Sequence, residues 1–438
     1  MKRILFSLFS FLAFQLFCLS LAQVSLAAPV KLDIIGPGQR ILNLAMADPL
    51  SSSGGSASSL GNELQNFINE DLSFLPFLRI IPSSGIIGGS KLSGFKSPDV
   101  DFNRFKMAGA DLLITSGWVN SDTVELRVYE PVTGQLVFGK SYSDVTSKLA
   151  PKVADRFCSE LMKALTGRGE FFLSTLAFIK DSGQNRQVWT TRPTGRELTQ
   201  ITNMQGIALS PAWSPDGRFV LFSHIDDRTH ALGVWDRLTR KTQRVKFPGN
   251  TIIGPTFFPN NKVAVGLAMQ GYPDIYQLDH AFKKEHKLES SGGIDVSPSI
   301  DATGTKMAFT SSRLGNPHIF LKDLSSGSVR RISDDGKYNT EPSISPDGTL
   351  IAFSRMTGNG HRIFVHDLLT GQETQVSFGP GSDEQPSFCP DSYFLAFASS
   401  RSGTQQIYLT TRHGGAAKQV PTGPGRAAFP AWGMVPDN

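Results

Sequence analysis

Beyond residue 170 the chain alternates short apolar, β-favouring runs with turn residues at a regular spacing. One unit reads "EPSIS", "LIAFSRM", "RIFVHDL" and "TQVSF", four strand-like runs rich in branched and aromatic residues. The first two flank Ser-Pro-Asp-Gly, a tight corner: proline presets φ at the second turn position, aspartate suits the third and glycine the exit. The corner position recurs at Pro215, Pro259, Ala302, Pro346, Pro390 and Met434, in steps of 44, 43, 44, 44 and 44 residues. Four strands per constant period of this size predict a β-propeller in which each repeat is one blade. The region lacks the 3.6-residue periodicity that a helical solenoid needs.

The ends of this region fit each other. Residues 171–201 offer three strands, "FFLSTLAFIKD", "RQVWTTRP" and "RELTQIT", without an opening strand, whereas the C-terminal "AAFPAWGM" is an opening strand with nothing after it. Together they predict a sixth blade, closed by pairing the last strand with an early one, which removes edges that an open sheet would offer to aggregation.

Residues 28–168 follow another pattern. Strand-like "VKLDII" and "ILNLAM" precede a Ser/Gly loop, the helical "LGNELQNFINEDL" with a serine cap near Ser59, and a strand at "FLRIIP". A helix at "FNRFKMAG", a strand at "ADLLITSGWV", the hairpin "TVELRVYEPVTGQLVFGKSYS" and a last helix, "KLAPKVADRFCSELMKALTG", follow. This alternation predicts a compact α/β domain joined to the propeller at "GRGE". The expected architecture is mainly β with α/β: a signal peptide at 1–27, a small N-terminal α/β domain at 28–168 and a six-bladed β-propeller at 169–438.

Charge and cysteine content narrow the setting. "MKR", an apolar stretch over residues 4–21 and small residues at Ser25 and Ala27 predict a secretory signal peptide cleaved after Ala27. Loss of Lys2 and Arg3 takes the net charge from +5 to +3, too little for a nucleic-acid partner, and there is no long Lys/Arg run. Cys18 leaves with the signal. Cys158 and Cys389 lie in different domains and read as free thiols.

Candidate chemistry is sparse. "GQLVFGKS", residues 134–141, matches the phosphate-loop spacing, but it forms the second arm of a hairpin and does not open a helix. Propellers with such corners occur beside serine hydrolases, yet no G-x-S-x-G is present. His224, His230, His318 and His361 fall between strands without metal-ligand spacing. No catalytic residue, metal or cofactor is expected. A metal-dependent lyase or a cell-wall-binding module remains the alternative.

One rim of the propeller carries stereotyped tight turns, and the other carries loops that differ from blade to blade, the mark of a recognition face around the channel. The loops leading into the innermost strands hold the acidic Asp295, Glu341, Asp383 and Glu384, suited to a basic partner. Thr251, Gly254, Ser297, Asn339, Thr340 and Gln385 lie within one to four positions of the strand-opening prolines and converge with them in a propeller. Glu341 is expected to be an exposed loop carboxylate of little weight in stability.

The ordered set "SPAWSPDGRFVLF", "GIDVSPSI", "NTEPSISPDG" and terminal "FPAWG", behind a signal peptide and an α/β domain, resembles the TolB family of the Tol-Pal system. The resemblance spans essentially the whole chain. It implies a non-enzymatic periplasmic protein whose propeller mouth binds the outer-membrane lipoprotein Pal, and whose post-signal segment, Ala28, Val30, Lys31, Leu32, Asp33, Ile34 and Ile35, binds TolA. It further implies a part in envelope maintenance and constriction at division, with colicins and other outer-membrane proteins as further partners. "FFPNNKVAV", "SIDATG" and the apolar loop before Pro255 depart from the family pattern.

Overall fold

The computed structural model describes residues 41–436 except 54, 56, 57, 228, 250 and 270. The predicted signal peptide and the post-signal strand lie outside these residues.

The N-terminal part is built on a five-stranded sheet, β1 (Leu42–Met46), β2 (Leu78–Ile80), β3 (Leu112–Trp118), β4 (Val124–Glu130) and β5 (Gln135–Tyr142), in the order β2-β1-β3-β4-β5. β1 runs parallel to β2 and β3, and β3-β4-β5 is antiparallel. Helices α1 (Ser59–Ser73), α2 (Phe102–Met107) and α3 (Ala150–Thr166) accompany it. α1 begins where the Ser58 side chain accepts from the Gly61 N–H, one residue before the predicted cap. It buries Leu64, Ile68 and Leu72, while Phe105 of α2 joins Ala45, Leu113 and Tyr129 in a separate cluster. β3 is therefore buried along its whole length, which is why it reads as a nearly continuous apolar run. Residues 134–141 lie in the β4–β5 hairpin, so the phosphate-loop match has no helix to act with.

α3 ends at Gly167, whose φ of 80° is the left-handed stop that glycine permits. The strand expected from Phe171 starts later. Residues Glu170–Leu173 form a helical turn, α4, which puts Phe171 4.2 Å from the Phe394 ring and 5.9 Å from Trp432. Burial of these rings against the propeller outweighs the local strand preference.

The propeller has six blades, each counted from the axis outward. Blade one is Ile207–Trp213, Phe219–Ile225, His230–Asp236 and Lys241–Val245, and blade two is Thr251–Phe257, Val263–Ala268, Asp274–Leu278 and Lys284–Glu289. Blade three is Asp295–Ile300, Lys306–Ser311, His318–Asp323 and Val329–Arg331. Blade four is Asn339–Ile344, Leu350–Thr357, Gly360–Asp367 and Glu373–Gln375. Blade five is Asp383–Phe388, Phe394–Ser399, Gln406–Thr411 and Gly414–Gln419. Blade six joins the two ends: Ala427–Met434 pairs antiparallel with Ser174–Ser182, followed by Asn185–Thr191 and a two-residue outer strand, Thr199–Gln200. Blades two to five are separate four-stranded sheets, whereas blades one and six are bridged at Arg186 and Ile207; apolar clusters fill the spaces between neighbours, such as Leu232, Val234, Val263, Tyr276 and Leu278 between blades one and two.

The α/β part touches blades four, five and six on the side of the tight corners. Arg196, in the loop beyond the third strand of blade six, ion-pairs with Asp71 of α1 at 2.7 Å and with Asp155 of α3, and lies over the Phe67 ring. Desolvation pushes the Asp71 carboxyl up to about 7 even beside this guanidinium. Phe77 meets Tyr393 edge-on, and Arg168 reaches Asp347 at a blade-four corner.

Closure concentrates at Trp432, which is 9% exposed and whose indole N–H donates to the Ser387 carbonyl at 3.1 Å. Trp432→Ala is expected to cost about 3–5 kcal/mol, read as a lower urea midpoint; a loss below about 1 kcal/mol would show that this contact does not secure the ring.

Candidate functional site

The innermost strands share one irregularity. Ser210, Gly254, Ser297, Glu341, Gln385 and Phe429 all have φ between 48° and 59°, and each precedes a proline. The strand pairing slips at each of these points, so every blade has a bulge at the same height. Proline after the bulge brings no N–H that would lack a ladder partner. Five of the six residues are not glycine and carry left-handed strain of roughly 1–2 kcal/mol each. Gly254 is the exception, because a Cβ there would lie 2.8 Å from the Ser297 backbone of the next blade.

Hydrogen bonds between blades hold the strained ring. The Gln385 N–H donates to Glu341 Oε2 at 3.1 Å, and the Phe429 N–H donates to Gln385 Oε1 at 2.9 Å. Three residues beyond each bulge, the N–H groups of Ile344, Phe388 and Trp432 donate to the hydroxyls of Ser299, Ser343 and Ser387 in the preceding blade. The bulge residues and these serines line a channel cavity of about 230 Å³. Glu341 is the single ionisable side chain among its lining residues. Burial, reinforced by the charge of Glu384, raises its carboxyl to about 7.

The structure separates the predicted site residues into three groups. Gly254, Ser297, Glu341 and Gln385 line the channel. Glu341 is thus not the exposed loop carboxylate expected from sequence; the bulge turns it inward. Asp295, Asn339 and Asp383 are fully buried as the first residues of their strands. Asp295 and Asp383 accept from Arg313 and Arg401 at 3.1 and 2.9 Å, and Asn339 accepts from Arg355 at 2.8 Å. Each arginine lies over two aromatic rings of its own blade: Phe309 and Phe320, Phe353 and Phe364, Phe397 and Tyr408. These three positions therefore shape the rim from within. Thr251, Thr340 and Glu384 are partly exposed.

Glu384 belongs to a chain of contacts at the mouth. His361 Nδ1 is 3.1 Å from Glu384 Oε1, Gln405 donates to Glu384 Oε2 at 3.3 Å, and the Tyr338 ring meets His361 at 6.0 Å. Sequence reasoning weighed charges here and missed the apolar residues. Tyr272, Leu314, Met356 and Phe378 are 50–63% exposed on the variable rim, with Ile294 and Tyr338 close behind. Their signal was an apolar residue in each otherwise polar loop of "MQGYPD", "SRLGNPH", "MTGNGH" and "SFGPG". Such exposed apolar groups around a polar mouth suit a protein partner.

The candidate metal-binding histidines stay apart. His224 bonds the Gln205 carbonyl, His318 meets Arg331 and Asn339, and His361 faces Glu384. Among the described residues no three His, Cys, Asp or Glu side chains are grouped to hold a metal ion. Cys158 and Cys389 are free and buried, and desolvation raises both thiols far above their ordinary range.

Fold and channel together define a six-bladed propeller protein with a small N-terminal α/β domain and one variable mouth. Residues 162–436 match the family model described as "TolB beta propeller domain". A Tol-Pal system protein TolB from Nitratidesulfovibrio vulgaris is 63% identical over 318 residues, 71% of this chain and 72% of that one. A TolB homolog from Chlorobium chlorochromatii is 31% identical over 262 residues, 59% of each chain. The crystal structure of TolB from Acinetobacter baumannii has the same fold, with a TM-score of 0.75 at 20% identity over 90% of this chain and 97% of that one. The chain belongs to the TolB family.

Glu341 makes the channel sensitive to pH. With its folded pKa raised to about 7, its contribution to stability is full below the ordinary glutamate range near 4.5 and is lost as pH rises through 7. Glu341→Gln is therefore expected to raise the melting temperature relative to wild type at pH 8 and to give no gain at pH 5. An equal effect at both pH values would show that this carboxyl is not held in its neutral form.

Proposed function

We propose that the chain is a non-catalytic bridge of the Tol-Pal system in the periplasm, holding the outer-membrane lipoprotein Pal at the propeller mouth and TolA through its post-signal segment. Through these two contacts it serves envelope integrity and outer-membrane constriction at division. The observation that carries this reading is the asymmetry of the rims: the variable one presents Tyr338 and Met356 beside His361 and Glu384, with Leu314 exposed on blade three, above a channel stiffened by inter-blade hydrogen bonds. A preorganised surface of this kind loses little entropy on docking. The name of the Nitratidesulfovibrio vulgaris relative supports membership of the system. Among the described residues no helix is long and apolar enough to cross a membrane.

In this reading Glu384, Thr340 and Thr251 meet Pal directly, Gln385, Ser297, Gly254 and Glu341 receive whatever part of it enters the channel, and Asp295, Asn339 and Asp383 position the rim. TolA engages Ala28, Val30, Lys31, Leu32, Asp33, Ile34 and Ile35, whose strand-like alternation suits addition to a partner sheet. Colicins and other outer-membrane proteins would compete for the same mouth.

The test is calorimetry with purified Pal and TolA. Tyr338→Ala with Met356→Ala is expected to weaken Pal binding more than tenfold, whereas Leu369→Ala on the opposite rim leaves it unchanged. Deletion of residues 28–35 should abolish TolA binding and spare Pal binding. Pal affinity unaffected by the mouth variant, or lost equally at both rims, would contradict the assignment.

A further inference from the structure

The cations of the propeller are unevenly placed. Residues 237–249, from the corner before the outer strand of blade one to the loop after it, contain Arg237, Arg240, Lys241, Arg244 and Lys246 and no acid. The outer strand of blade two adds Lys284 and Lys287, immediately after Lys283.

Register decides where these side chains point. Gln243 and Val245 stand opposite Val234 and Leu232, which belong to the apolar cluster shared with blade two, so the alternate residue Lys241 faces blade two as well. Lys284 and Lys287 stand opposite Leu278 and Tyr276 of that same cluster and so face blade one. The two outer strands thus carry lysines on the faces by which blades one and two adjoin. A cavity of about 340 Å³ opens between the blades, walled by Pro248, Met269 and Tyr276 together with Asp274, Lys284 and Lys287; Lys241 lies outside its lining.

The lysines there are not equivalent. Lys287 is neutralised by Asp274 at 2.9 Å. Lys284 sits 5.2 Å from the centre of the Tyr276 ring with its Nζ 3.5 Å from Met269 Sδ, and among the described residues it has no ion pair. Lys241 stands opposite Asp236, whose carboxylate is taken by Arg218 at 3.0 Å. Both strands are also the last of their sheets, so each has a free backbone edge.

We propose that this groove between blades one and two is a docking site for an extended acidic segment of another protein, with an apolar side chain against Tyr276 and Met269 and carboxylates beside Lys241 and Lys284. Charge complementarity favours an anionic partner, since among the described residues neither lysine has an ion pair. The concavity between blades, flanked by backbone edges, fits a polypeptide strand better than a flat lipid surface. The cavity shares no lining residue with the central channel, and the inference does not depend on Pal or TolA binding.

Fluorescence anisotropy with a labelled twelve-residue peptide of alternating Glu and Leu tests it. Wild type is expected to bind with an affinity that falls as salt rises. Lys241→Glu with Lys284→Glu should weaken binding at least tenfold, with the melting temperature unchanged, and Met269→Ala should weaken it severalfold. Arg330→Glu, on the outer strand of blade three, should have no effect. No binding by wild type, equal loss in Arg330→Glu, or equally tight binding of a peptide of alternating Lys and Leu would overturn the proposal. So would a lysine-dependent affinity for phosphatidylglycerol vesicles without affinity for the acidic peptide.

Discussion

The pairing of Ala427–Met434 with Ser174–Ser182 is the constraint on which the rest of the propeller depends. It joins residues some 250 positions apart and makes a blade from two fragments, neither of which could bury its faces alone. It also places Trp432 on Phe171 and on the Ser387 carbonyl, so that the closing strand, the junction helix and blade five become one packed unit. Arg196, carried by the same blade, reaches the buried Asp71 and Asp155, so the α/β part is held by the blade that closes the ring.

Closure explains why the axis can store strain. Five non-glycine residues hold left-handed backbone at one height of the channel, and the Glu341, Gln385 and serine contacts pass from blade to blade around it. Such conformations persist where surrounding structure over-determines them. The result is a rigid wall beneath a mouth whose loops vary. Buried aspartates and an asparagine fix Arg313, Arg355 and Arg401 just inside that mouth, leaving Tyr338, Leu314 and Met356 exposed above them. Rigidity and variability are thus assigned to different layers of one repeat.

The repeat was legible because turn chemistry and strand alternation recur every 44 residues or so, and because the two incomplete ends complement each other. Orientation within the repeat was not. A bulge reverses the side-chain alternation of a strand, and nothing in "NTEPS" alone says that Asn339 turns into the blade while Glu341 turns into the channel. Asp295 and Asp383 were read as surface charges because their arginine partners lie 18 residues away, a pairing visible only in space. The helical turn at Phe171 was missed for a similar reason: its rings pack against Phe394 and Trp432, more than 200 residues later. The exposed rim apolars were present in the loop sequences, but loops rich in charge drew attention to charge.

Hydrogen–deuterium exchange of the full chain with and without Pal tests the central claim, that the variable mouth is the working face. The account predicts slowed amide exchange in the loops around residues 269–274, 312–317, 335–338 and 356–361, and no change at the tight corners around Asp216, Asp301 and Asp347. Protection at those corners with an unprotected mouth would place the working face on the other rim and contradict it.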